Sequence, residues 1–118
     1  MERDWTLIKA ILASLEEKRA DEVLRPDDIE GYSRDTVCYH LLLLDEAGLI
    51  KAVCQKERTG TIPFCVGCRL TWEGHELLDA MRSSNLWHRL KDRLSDAGIN
   101  ISFTAIKAVI AEVIKEVI

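Results

Sequence analysis

The chain has 118 residues, 47% hydrophobic and 31% charged, a balance that suits one folded domain and excludes a disordered tail or a membrane protein. Sixteen basic side chains against twenty acidic ones leave a formal charge of −4 at pH 7, which excludes an indiscriminate binder of polyanions. Mixed charge in Met1-Glu2-Arg3-Asp4 has no apolar core behind it, so no export signal is read, and a cytoplasmic chain with reduced thiols is expected.

Asp4 is predicted to cap a first helix, whose apolar face carries Trp5, Ile8, Ile11, Leu12 and Leu15. Lys9, Glu16 and Lys18 fall off that face. Pro26 breaks the pattern, and the residue before a proline is pushed toward extended geometry. The expectation is an extended piece at Glu22–Arg25 and one helical turn at Asp27–Glu30. Ser33, after Gly31-Tyr32, then caps a helix from Arg34 to Ala47, and Gly48 supplies the left-handed residue that ends it. Leu49 to Gln55 and Phe64 to Leu70 read as short strands joined through Arg58-Thr59-Gly60-Thr61. A two-residue turn at Thr59-Gly60 sets Arg58 opposite Thr61 and, in the same register, Cys54 opposite Cys65. Pro63 demotes the start of the second strand to an edge or a loop.

Thr71 caps a helix carrying Trp72, Leu77, Leu78 and Met81. Beyond Ser83-Ser84-Asn85 another helix carries Leu86, Trp87, Leu90 and Leu94 and stops at Gly98. Ser102 opens a last helix on which Phe103, Ile106, Ile110, Val113 and Val117 form an apolar stripe. Lys107, Glu112, Lys115 and Glu116 within Ile99 to Ile118 argue against a bilayer span. Trp5, Trp72 and Trp87 each fall within a helical apolar pattern and read as core anchors. This order is mainly α with a small β-hairpin. It predicts a winged helix-turn-helix over residues 1–82 and a C-terminal helical extension over 83–118, one domain overall, with the extension packing on the rest or pairing two copies as a homodimer.

Residues 31 to 50, Gly-Tyr-Ser-Arg-Asp-Thr-Val-Cys-Tyr-His-Leu-Leu-Leu-Leu-Asp-Glu-Ala-Gly-Leu-Ile, resemble the turn and recognition helix of bacterial winged-helix repressors. Together with Arg69-Leu70-Thr71-Trp72-Glu73-Gly74-His75-Glu76-Leu77-Leu78-Asp79-Ala80, they make nearly the whole chain similar to a small uncharacterised family found in bacteria and their phages. That resemblance implies a winged-helix-like fold and brings no established activity.

The function expected is a small DNA-binding, transcription-regulatory protein of bacterial or phage origin. Arg34, Thr36, Tyr39 and His40 would meet the groove of double-stranded DNA, and Lys56 and Arg58 on the wing would hold phosphates. Charge is uneven in a way that bears on this. Residues 1–50 hold six basic and twelve acidic side chains, residues 51–70 hold four and one, and residues 71–118 hold six and seven. The hairpin, with Lys51, Lys56, Arg58 and Arg69, is therefore the basic segment, whereas on helix 34–47 only Arg34 is cationic, against Asp35, Asp45 and Glu46. The alternative is a winged helix used for protein contacts, motivated by that acidic helix and by Leu42 and Leu43 in the run Leu41–Leu44.

Cys65-x-x-Cys68 has a metal-ligand spacing, and Cys54 on the facing strand with His75 would complete a zinc set. Strand alternation sends Cys65 and Cys68 to opposite faces, so small buried thiols and no cofactor are the preferred reading. His40 lies between Val37 and Leu44, which also suits a hydrogen-bonded structural histidine. No nucleophile triad, paired carboxylate or phosphate-binding glycine loop stands out, and an enzyme is not expected.

Overall fold

The computed structural model describes residues 1–55, 60–83, 88 and 92. Two compact units are distinguished, Met1–His75 and Glu76–Ile118, the division falling inside a helix.

Helix α1 spans Trp5–Glu17. Asp4 begins it as predicted, its carboxylate accepting from the free amides of Thr6 at 2.9 Å and Leu7 at 3.2 Å. Leu7, Ile8, Ile11, Leu12 and Leu15 form its buried stripe. Trp5 stands half-buried at the margin of that stripe, with the Arg3 guanidinium 6.0 Å from its ring. Leu7, fully buried, belongs to the core although the face read from the sequence omits it.

The proline turn is a short 3-10 helix at Pro26–Asp28, closed by the Arg25 amide donating to the Asp28 carboxylate at 2.9 Å. Just before it, Leu24 pairs with Gly67 through two backbone hydrogen bonds of 2.8 Å. Helix α2, Arg34–Glu46, opens on Ser33, whose hydroxyl accepts from the Thr36 amide. It ends where Gly48 takes φ +78°, a left-handed geometry that a side chain at this position would strain.

Strands β1, Ile50–Cys54, and β2, Cys65–Leu70, form an antiparallel hairpin. Cys54 faces Cys65, Val53 faces Val66 and Ala52 faces Gly67, which is the register expected from the sequence. Between Lys51 and Ala52 the register slips by one, so that Arg69 rather than Cys68 stands opposite Lys51 and Cys68 becomes the extra residue of a β-bulge. The bulge turns Leu70 inward opposite Ile50, so Cys65, Gly67 and Leu70 share the buried face. At Gly67 the sheet closes on both helices. A Cβ there would lie 3.1 Å from Leu15 and 3.4 Å from Leu41.

The amide of Ala52 points away from β2 and donates to the Asp45 carboxylate at 3.0 Å. With Leu24 on its far side, β2 is the inner strand and β1 the edge.

Helix α3 covers Trp72–Arg82, and the Thr71 hydroxyl accepts from the Gly74 amide as the expected cap. Gly74, Leu77, Leu78 and Met81 are buried at a spacing of three and four residues. Trp72 lies on the opposite side of the helix and is 80% exposed, which corrects its reading as a core anchor. Gly74 is required for space, since the Leu49 carbonyl oxygen occupies the volume a Cβ would need. The helices expected around Leu86–Leu94 and after Ser102, Trp87 among their residues, lie outside the described residues. Among the described residues no helix is long and apolar enough to cross a membrane.

Candidate nucleic-acid interface

Helical phase divides α2 sharply. Val37, Cys38, His40, Leu41 and Leu44 face the core. The opposite side presents Asp35, Thr36, Tyr39, Leu42, Leu43 and Glu46, with Asp35 and Glu46 exposed and the other four half-buried. That outward side has two carboxylates and no cation.

Arg34 stands at the first turn, at the margin of this face. Its guanidinium lies 3.5 Å from the Asp27 carboxylate and 5.4 Å from the centre of the Phe64 ring, so it is held between the proline turn and the hairpin. Thr36 shares a 2.8 Å hydrogen bond with the Ser33 hydroxyl. Tyr39 meets the His40 ring edge-on at 6.0 Å.

His40 is corrected as a groove contact. It is 1% exposed, Nδ1 donates to the Thr36 carbonyl at 2.8 Å, and Nε2 accepts the Asp4 amide at 2.9 Å. An accepting Nε2 fixes the neutral Nδ1–H tautomer: Nδ1 is used within α2 and Nε2 joins that helix to the start of α1. The Asp4 carboxylate also acts on the half-buried Tyr32. Burial first, then the Asp4 charge and hydrogen bond, push its phenol above the ordinary 10.0.

The hairpin has the opposite character. Ile50 and Leu70 point inward, and the next register pair, Lys51 and Arg69, is exposed on the outer face. Beside them Val53, 63% exposed, faces half-buried Val66. Two like charges directly opposed across strands repel, and a bound anion relieves that repulsion. Neither cation is in an ion pair among the described residues, although the Arg69 guanidinium donates to the Leu70 carbonyl at 3.1 Å. Sequence reasoning counts Lys51 and Arg69 as basic hairpin residues but misses that they oppose each other, because an unbulged register sets Lys51 against Cys68. The signal is the bulge, which no local pattern displays. Lys56 and Arg58 lie outside the described residues.

The four candidate zinc ligands do not assemble. Cys54 and Cys65 are joined in a disulfide with Cα atoms 4.1 Å apart, which also corrects the expectation that all four thiols are reduced. Cys68 sits in the bulge, and His75 Nδ1 lies 3.5 Å from the Glu16 carboxylate. Among the described residues no group of three or more His, Cys, Asp or Glu is arranged to hold a metal ion. Cys38 and Cys68 are free thiols. Cys38 is buried, and its sulfur receives the Cys65 amide at 3.4 Å.

These features define a mainly α protein with a small antiparallel hairpin, its exposed charge divided between an acidic helix face and a basic strand face. The chain belongs to the family described as "Hypothetical protein (DUF2513)", whose model matches residues 2–100. It is also 37% identical over 119 residues to a Haemophilus influenzae protein named "Uncharacterized protein", a match spanning 100% of this chain and 99% of the relative. No solved structure matches the chain.

Proposed function

We propose that this chain is a winged-helix module that binds duplex DNA through its hairpin and acts in transcription regulation in a bacterial or phage setting. The order of helix, extended segment at Leu24, turn, helix and hairpin supports the winged-helix assignment. One observation carries the DNA reading: Lys51 and Arg69 oppose each other on the exposed face of the hairpin, and the sequence between its two strands adds Lys56 and Arg58. Such a face suits the phosphate backbone, where cations gain by releasing counterions. The outward carboxylates of α2 disfavour its entry into the major groove. Contacts are therefore weighted to phosphates, with Arg34, Thr36 and Tyr39 at the margin. Two copies joined through the helix that the sequence predicts after Ser102 would present two such hairpins, and sedimentation should then report twice 13.4 kDa.

Fluorescence anisotropy with a labelled random duplex at low salt tests the proposal. Micromolar binding is expected, with log affinity falling linearly in log salt. Lys51→Ala with Arg69→Ala should weaken it on every sequence and flatten the salt slope by about one unit per cation removed. Lys56→Ala with Arg58→Ala should act in the same direction. No complex at micromolar protein, or equal slopes for wild type and the Lys51/Arg69 variant, would overturn it.

A second reading rests on a separate observation. Tyr39, Leu42 and Leu43 stand half-buried between Asp35 and Glu46 on the outward side of α2, a composition that suits a protein surface better than a duplex. Failure of the duplex test leaves this face, and a protein partner, as the function.

A further inference from the structure

We infer that the Cys54–Cys65 bond is a reversible thiol–disulfide exchange site at which a small dithiol opens and closes the outer end of the hairpin. Its position carries the inference. Cys54 and Cys65 form the last register pair of the two strands, and beyond them the described ladder continues through one bond, the Gln55 amide donating to the Phe64 carbonyl at 2.9 Å. On the near side the hairpin is held independently by the Val53–Val66 and Ile50–Leu70 pairs, and by Leu24 on Gly67. Opening the bond therefore frees the Gln55–Phe64 pairing and leaves the core pairing in place.

Access is unequal at the two sulfurs. Cys65 is fully buried, and Cys54 is half-buried, so attack comes at Cys54. A thiolate of the dithiol bonds to Cys54 Sγ, the sulfur–sulfur bond breaks, and Cys65 departs as a thiolate that takes up a proton. The second thiolate of the reagent then attacks the reagent sulfur of the mixed disulfide. Cys54 leaves and is protonated, and the reagent departs as a cyclic disulfide. Two electrons pass to the protein, and an oxidised dithiol runs the sequence backwards.

Neither remaining thiol diverts the exchange. Cys38 lies beside Cys65, but burial, the largest influence on it, pushes its thiol up and keeps it in the unreactive protonated form. Cys68 occupies the bulge, outside the register that sets Cys54 against Cys65. Such a site is compatible with the reducing compartment expected from the sequence, where disulfides are transient and sense redox state. The inference goes beyond the DNA reading and does not need it.

The test uses the whole chain in buffers of graded reduced and oxidised dithiothreitol. After an acid quench and denaturation, free thiols are alkylated and counted by intact mass, and the alkylated sites are mapped. Two labels, on Cys38 and Cys68, are expected at the oxidising end and four at the reducing end, with one curve in both directions. Amide exchange at Gln55 should quicken at least tenfold on reduction, while Leu24 and Gly67 stay protected. Two labels at every ratio, four at every ratio, a bond to Cys38 or Cys68, or unchanged exchange at Gln55 would each overturn the inference. The titration is read on the natural sequence, so it holds even if Cys54→Ser fails to fold.

Discussion

Asp4 shows how much one side chain can organise. Its carboxylate caps α1 and helps to raise the Tyr32 phenol, its amide reaches His40, and its carbonyl accepts the Ile8 amide at 2.9 Å. His40→Ala leaves the Asp4 amide without its acceptor and opens a gap between α1 and α2. A loss of about 1–3 kcal/mol in urea unfolding is expected, and a change below experimental error would remove His40 from this role. Cys38 makes a pH prediction. Its thiol is raised above the ordinary 9.0 by burial, so the unfolded chain ionises first as pH climbs. The stability tied to the protonated thiol is complete below that ordinary value and is lost as pH rises toward the folded one. Cys38→Ala should flatten the fall in Tm between pH 8 and 10 relative to wild type, and parallel curves would contradict it. The structural role of His40 is legible in the sequence, because its position between Val37 and Leu44 puts it on the core side of the helix. Its partner at Asp4 is not, since nothing local specifies a contact across thirty-six residues.

The beginnings and ends of elements are legible for a physical reason. Asp4, Ser33, Thr71 and Gly48 each act on backbone within a few residues, so local chemistry announces them. Helix α3 shows where local pattern misleads. Its true stripe runs through Gly74, Leu77, Leu78 and Met81, and Trp72 is out of phase with it although a tryptophan beside leucines suggests a core. Glycine at position 74 reads as an innocuous helix residue, yet it lets the Leu49 carbonyl approach while that carbonyl also accepts the Thr71 amide at 3.0 Å. Gly74→Ala, which intrinsic helix preference would favour, should instead destabilise by about 1–3 kcal/mol through overpacking. A rise in Tm would show that the junction yields. The bulge at Cys68 is the least legible element, because it depends on Gly67 fitting against Leu15, Leu41 and Leu24 together.

Across the molecule, the sign of charge follows chain order: acidic through residue 50, basic over the hairpin. That much is visible without coordinates. The acidic outward side of α2 is visible there too, because helical phase alone places Asp35 and Glu46 away from Val37, Leu41 and Leu44, whereas the pairing of Lys51 with Arg69 needs the tertiary register. The disulfide also acts at this scale. It spans a separation of 11 residues, and closing a loop of that length removes chain entropy from the unfolded state, worth about 3 kcal/mol in the simplest treatment. Guanidinium unfolding with and without dithiol should differ by up to that amount. Identical midpoints would mean that the oxidised and reduced chains are equally stable.

The contact between Asp45 and the Ala52 amide has a colloidal consequence. An outer strand with idle donors is an invitation to stack, molecule upon molecule, into insoluble ribbons. Here a carboxylate from the neighbouring helix fills one such vacancy from within. Asp45→Ala should leave the fold standing and show its damage as turbidity in concentrated stock.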